Sequence, residues 1–333
     1  EPAVSLNENV RKYILTTKSL EFNSRSTITS INLQLFNDLQ TLKLLNNKSL
    51  QSLSLENNPK LQAIELLHPS VESVSGLEGL QELKKLSVHR ARALKSLSLG
   101  NNPRLKSVDL KNSDVEMISG LEGLQNLETL DASDTKLKSL SLGNNPRLES
   151  VDLKNSAVER ISGLEGLQGL ERLVMQHTGR LKSLSLGNNP RLREIYLSHS
   201  AVEQITGLEG MQDLHNISVD YTRSLKSLSL SDNSTLYYVF LNNSAVELVT
   251  VSNLPSIKKL DFSSLPYLKE VVFTGTFPSL KEVFFQGSLK LKSIAGLDNL
   301  PPDCKVTGID GAELQKAPLV TFVGEKPVYD QAE

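Results

Sequence analysis

A chain of 333 residues with 38% hydrophobic and 22% charged side chains holds enough apolar material for one large domain or two ordinary ones. A formal net charge of −2 gives no field that would hold nucleic acid or an anionic membrane, and no apolar run reaches the roughly 18 residues of a membrane span. A single cysteine, Cys304, leaves no internal disulfide and gives stability over to packing.

Residues 1 to 32 follow no repeat, and residues 1 to 20 lack the basic-then-apolar form of a signal peptide. The opening on Glu1, without Met, is expected of a processed chain from which a leader or anchor has been removed. These residues read as an N-terminal cap, because each end of an open stack must hide the apolar edge of its outermost coil.

From Leu33 to about Leu300 the chain repeats itself. Long units of 43 or 44 residues begin at Leu50, Leu94, Leu137, Leu181 and Leu225, the mark of a repeat architecture. Within one unit the pattern LxxLxLxxN recurs, as in Leu94, Leu97, Leu99 and Asn102, then Leu105, Val108, Leu110 and Ser113, so the true coil is about half the unit. Coils begin at Leu83, Leu105, Leu127, Leu148, Leu170, Leu192, Leu214 and Leu236, with looser ones at Ile257, Leu268, Leu280 and Leu291. Two leucines two residues apart point to one side of an extended strand and leave the residue between them on the other. A coil that cannot bury its leucines alone buries them against its neighbours, which predicts a solenoid of stacked parallel strands.

"LSLGNNPRL", "VDLKNSAVERISGLEGLQGLERL" and "LETLDASDTKLKSLSL" resemble bacterial leucine-rich repeats. The halves holding "ISGLEGL" are similar to the 22-residue internalin-type repeat, and those holding "TKLKSLSLGNNPRL" resemble a 21-residue bacterial class with a second short strand on the far side of the coil. The resemblance implies a solenoid with a parallel sheet on its concave face, short strands, turns and 3-10 segments on its convex face, and few helices. It also implies a recognition role without catalysis.

The ninth position of the pattern is short and polar on both sides. On the expected principal sheet it is Ser113, Thr135, Ser156, Thr178, Ser200, Thr222 and Ser244; on the opposite side it is Asn58, Asn102, Asn145, Asn189 and Asn233. These rows are expected to bond backbone groups that water cannot reach inside a stack. The Asn row is therefore a structural ladder, and NxS/T triplets such as the one at Asn233 read as accidental. Gly120, Gly123, Gly163, Gly166, Gly207 and Gly210 suit tight convex turns and lack the strand-to-helix context of a phosphate loop.

Candidate function lies where outward residues vary on a constant frame. Between the two closing leucines successive coils carry Ser87, Asp109, Asp131, Asp152, Val174, Tyr196, Ser218 and Phe240. The early, acidic part has Lys111 and Lys154 beside it and is expected to be largely self-neutralised. The later part sets Tyr196, His199, Tyr221, Tyr238, Phe240 and Phe284 outward, with Arg172 and His177 alongside. Tyrosine and arginine dominate interface hot spots, so these eight residues form the expected partner surface. His177 and His199, aligned on successive strands, are spaced to serve a metal or a pH response, although two ligands make a weak site and the reading taken is no metal and no cofactor.

The last segment, 301–333, departs from the repeat and reads as a C-terminal cap, with "APLVTFVGEKPVY" from Ala317 to Tyr329 supplying a final strand. Cys304 invites comparison with effector ubiquitin ligases, but the few residues after it are too few for a catalytic domain. The expected protein is a bacterial, secreted or surface-displayed recognition module, or one delivered into a host cell, binding a protein partner such as a host protein. A structural cell-surface scaffold and a glycan-binding adhesin are the alternatives.

Overall fold

The computed structural model describes residues 12, 15–23, 29 and 31–309, together with the backbone of 320–323 and 326–329. The chain divides into two compact units, Glu1–Arg180 and Leu181–Glu333. Each is a parallel β-solenoid with almost no helix: the described residues hold two 3-10 turns, Leu77–Gly79 and Leu297–Asn299, and a few helical residues near Leu15. The fold is a leucine-rich repeat solenoid.

In the first unit the principal sheet runs through Ser19–Asn23, Thr41–Leu45, Ala63–Leu67, Lys85–His89, Ser107–Asp109, Thr129–Asp131, Ser150–Asp152 and Arg172–Val174. Every neighbouring pair is parallel and in register, Val108 beside Leu130 and Leu130 beside Val151. The middle residue of each short strand faces inward and is buried, as the alternation in LxL requires. Leu42, Ile64, Leu86, Val108, Leu130, Val151 and Leu173 thus form one row of an apolar spine, and each contributes about 1.5–3 kcal/mol by burial. The reverse side carries three-residue strands in pairs: Ser52–Ser54 with Ser73–Ser75, Ser96–Ser98 with Met117–Ser119, and Ser139–Ser141 with Arg160–Ser162.

In the second unit the principal strands are Glu194–Tyr196, Asn216–Ser218, Tyr238–Phe240, Lys259–Asp261, Glu282–Phe284 and Lys305–Thr307. The reverse side begins with the pair Ser183–Ser185 and Gln204–Thr206, then changes to a four-stranded sheet of Ser227–Ser231, Leu248–Ser252, Glu270–Thr274 and Ser293–Ala295. Here the spine turns aromatic, with Phe262, Phe273, Phe277 and Phe285 buried. Phe262 lies 5.4 Å from Phe285 in a stacked arrangement and 6.4 Å from Phe273 edge to face.

This placement corrects the coil count at the C-terminal end. Ile257 and Leu280 open principal strands, whereas Leu268 and Leu291 open the reverse strands Glu270–Thr274 and Ser293–Ala295. They are halves of coils, and an LxxLxL pattern occurring on both sides of one turn cannot say which side it marks.

The glycines of "SGLEGL" are left-handed, with φ of 80° at Gly120, 78° at Gly163 and 79° at Gly207. A Cβ on Gly163 would stand 2.5 Å from the backbone nitrogen of Gly143, so the turn needs glycine for room as well as for conformation. The Asn ladder is buried throughout. Asn102, Asn145 and Asn189 donate through Nδ2 to the carbonyls of Leu99, Leu142 and Leu186. Asn58 donates to Leu33 and Phe36 at 2.9 and 3.2 Å, and Asn233 to Leu208 at 2.7 Å.

The Ser/Thr row behaves less uniformly than its sequence suggests. Thr135, Thr178 and Thr222 donate to the carbonyls of Ala132, Met175 and Val219 at 2.7–2.8 Å, while the buried hydroxyls of Ser113, Ser156, Ser200 and Ser244 have no hydrogen-bond partner. Branching at Cβ restricts the threonine rotamer and keeps its hydroxyl on the carbonyl; serine has no methyl to set it.

Backbone strands Val320–Val323 and Lys326–Tyr329 form an antiparallel hairpin and pair with each other. Most of the expected caps, 1–32 and 301–333, lies outside the described residues, although Ser19–Asn23 continues the parallel register beside Thr41–Leu45.

Candidate functional site

On the first unit's principal face, register sets Asp109, Asp131 and Asp152 side by side on adjacent strands. Each folds one oxygen back onto its own chain. Asp109 accepts from the Lys111 N–H at 3.1 Å, Asp131 from the N–H and hydroxyl of Ser133 at 2.9 and 2.6 Å, and Asp152 from the Lys154 N–H at 2.9 Å. Side-chain bonds of this kind close turns, so the aspartates end their own strands. Lys154 bonds Asp152 through its backbone. Burial pushes the Asp152 carboxyl above the usual range, helped by Asp131 and opposed by the Lys154 N–H, Arg172 and Lys111.

Ser87, His89 and Asp109 also meet here, but both contacts fall on one ring nitrogen: His89 Nε2 lies 2.6 Å from Asp109 and 3.2 Å from the Ser87 hydroxyl. A Ser-His-Asp relay needs the two partners on opposite nitrogens, so this cluster has no activated nucleophile. His68 bridges two neighbouring coils, its Nδ1 lying 2.7 Å from Asn46 Oδ1 and its Nε2 2.8 Å from the Arg90 guanidinium. Cys304 is half-buried, and burial together with Asp303 raises its thiol pKa above the ordinary value, the reverse of what a nucleophile needs. Among the described residues no three His, Cys, Asp or Glu side chains are placed to hold a metal.

Of the eight expected surface residues, Arg172 and His177 belong to the first unit and are exposed. The other six lie in the second. Tyr196 and Phe284 are half-buried, and Lys259 Nζ sits 4.3 Å from the Phe284 ring. Tyr238 and Phe240 are 60% and 41% exposed and stack on each other, centroids 6.0 Å apart and planes 11° from parallel. His199 and Tyr221 stack more closely, at 4.6 Å and 5°.

The structure corrects where the histidines sit. His177 and His199, with Tyr221, are not on strands; they occupy the left-handed turn residue that follows each principal strand, at φ 59°, 60° and 57°. Equivalent turns carry Asn112, Asn155 and Asn243, the residue type that tolerates this conformation best after glycine. The pattern of leucines alone cannot reveal a left-handed turn one residue before the polar ladder.

Sequence reasoning also missed two rings. Tyr237 is exposed beside His215 at 5.7 Å, and Tyr267 is exposed with Lys290 Nζ 4.7 Å from its centroid. The doublet Tyr237–Tyr238 was a visible signal, because both fall in the two variable places between Leu236 and Val239 of the repeat pattern.

No family model matches the chain, and no curated protein matches it. Among solved structures, the leucine-rich repeat domain of APL1B is 17% identical with a TM-score of 0.58, over 92% of this chain and 94% of that one. A chain of the Drosophila Toll–Spatzle complex is 16% identical with a TM-score of 0.56, over 89% of this chain. The chain matches only 47% of that longer one. These likenesses are of fold. Among the described residues no helix is long and apolar enough to cross a membrane.

Proposed function

We propose that this chain is a non-enzymatic recognition module that binds a protein partner through the ring-bearing principal face of its second unit. One observation carries the reading. Tyr221, 43% exposed, is held left-handed at φ 57° in a turn where other coils carry Asn112, Asp134, Asn155, Asn243 or Ser264, and in one case the bulky Arg90, and its ring stacks on His199. A bulky residue in that conformation costs about 1–2 kcal/mol, and an exposed ring returns little of it to folding. A partner that buries the ring returns it on binding. Tyr238 and Phe240 add a second exposed stack on the same face.

The mechanism is a preformed surface. Each strand is fixed by its neighbours, so little conformational entropy remains to be lost on association. The resemblance of "ISGLEGL" to internalin-type repeats supports a bacterial protein, secreted or displayed on the cell surface, with a host protein as partner.

The test replaces Tyr196, Tyr221 and Phe240 together by serine. Far-ultraviolet circular dichroism is expected to stay that of the parent, and capture of the protein partner from host-cell surface extracts to disappear. Capture at the parental level by a folded triple variant removes this face from consideration.

A further inference from the structure

The reverse side of the second unit contains a groove of about 540 Å³. It opens where the strand Gln204–Thr206 gives way to Ser227–Ser231, and its floor crosses Leu248–Ser252 to Thr274. Two substitutions within the repeat create it. Gly100, Gly143 and Gly187, left-handed at φ 55–62°, end the reverse strands of their coils after three residues. The equivalent position in the next unit is Ser231, and the left-handed residue moves on to Asp232. Likewise Gly120, Gly163 and Gly207 are succeeded by Val251, with the turn displaced to Asn253. The coil at Leu50 makes the first change alone, with Glu56 before the left-handed Asn57, and keeps the three-residue strand Ser52–Ser54; where both changes coincide the strands lengthen from three residues to five and join into a wider sheet, leaving a step beside the shorter strand that stops at Gly207.

The step is lined by hydroxyls. Ser229 lies in register beside Thr250, and Ser231, Ser252 and Thr274 form a second row, with Thr206 opposite. None of these hydroxyls takes part in a hydrogen bond in the structure, among the described residues. Thr250 is the least exposed of them, at 9%, and lines the groove. Its hydroxyl can both donate to and accept from a ligand that fills the groove.

The lining has no lysine or arginine, so phosphate and sulfate find no counter-charge. Gln204 and Glu209 bring an amide and a carboxylate to one wall, and Ile205 and Leu248 give small apolar patches. Gln204–Thr206 and Ser227–Ser231 each keep one open edge at the rim, but the floor strands Leu248–Ser252 and Glu270–Thr274 are paired on both sides and offer a ligand side chains alone. What remains is a grid of groups that both donate and accept, set one strand spacing of about 4.8 Å apart. We propose that this groove binds a short neutral oligosaccharide, whose own hydroxyls donate and accept in the same way. Its volume falls within the roughly 300–1,000 Å³ of small-ligand sites. The site stands on the opposite side of the coils from Tyr221 and Phe240 and does not depend on the protein-binding reading.

The experiment titrates the full chain calorimetrically with cellotetraose, chitotetraose and maltotetraose at millimolar concentration. At least one is expected to bind, with affinity about tenfold lower in T250V, which keeps the side-chain shape and removes the hydroxyl. S231G, which restores the glycine of the earlier units, is expected to weaken binding at least as much, with circular dichroism unchanged in both. The Tyr196, Tyr221 and Phe240 triple variant should bind sugar as the parent does. No binding by any of the three saccharides overturns the proposal, as does parental affinity in folded T250V and S231G. Loss of sugar binding in the triple variant overturns it too, by moving the site to the principal face.

Discussion

The outward position between the closing leucines is aspartate in three successive strands of the first unit, and tyrosine, serine and phenylalanine in the first three principal strands of the second. Asp109, Asp131 and Asp152 each bond a backbone N–H two residues on, so folding alone accounts for them. Phe240 and Tyr238 close no turn and stack on each other in the open. One frame thus carries one face whose side chains serve the coil and another whose rings the coil does not need, and the second is where binding is to be sought.

The cores differ in parallel, and that contrast gives the largest predicted effect. Phe262→Ala should cost about 3–5 kcal/mol, because it opens a cavity among Phe273 and Phe285, and Leu140→Ala about 2–5 kcal/mol. Urea denaturation measures both. Equal costs would mean that the aromatic cluster packs no better than the leucine spine.

Next in size, Gly163→Ala puts a Cβ against the Gly143 backbone at a left-handed turn and should cost about 1–3 kcal/mol. Val251→Gly, which restores that glycine in the second unit, should instead fray the strand Leu248–Ser252, read as faster amide hydrogen exchange at Thr250 and Ser252. Asn145→Ala removes the donor to the Leu142 carbonyl and should cost about 1–3 kcal/mol.

The smallest effects are those of pH, and two of the first unit's aspartates oppose each other. Asp114 lies 2.8 Å from Lys136, 3.1 Å from Arg92 and 3.4 Å from Lys95. The Lys136 hydrogen bond, with those of Arg92 and Lys95 beside it, lowers its pKa from 3.8 to about 2 against the effect of burial. Its stabilisation is complete above pH 3.8 and is lost as pH falls through about 2. Asp152 is raised by burial, so the folded state holds that proton more tightly and its ionisation destabilises the fold as pH rises through the raised pKa. Asp114→Asn should flatten the acid limb of a stability-against-pH curve, and Asp152→Asn should raise the neutral plateau. A fall on Asp152→Asn would show that its bond to the Lys154 N–H outweighs its burial.

Much of this was legible in the letters. Leu97 and Leu99, or Leu140 and Leu142, two residues apart in every unit, announce strands with one buried side, and Gly163 and Gly207 announce left-handed turns. The candidate surface was legible only in part. Tyr238 and Phe240 follow from strand alternation, whereas His177 and His199, expected on strands, stand in turns together with Tyr221. Their backbone conformation is set by the path between the two sheets, which the leucine pattern does not encode. The groove was not legible, because Ser231 and Val251 look like ordinary substitutions until the loss of two left-handed glycines is seen to lengthen neighbouring strands.

By itself the amino-acid sequence determined the solenoid, its inward spine and the polar ladders, since a short-period repeat of leucines has one economical way to leave water. Which side each half-coil occupies, which hydroxyls find partners, and where two kinds of reverse strand meet to open a cavity were decided by the tertiary structure. Those depend on how adjacent coils register against one another, and register is a property of pairs of coils that no single repeat contains.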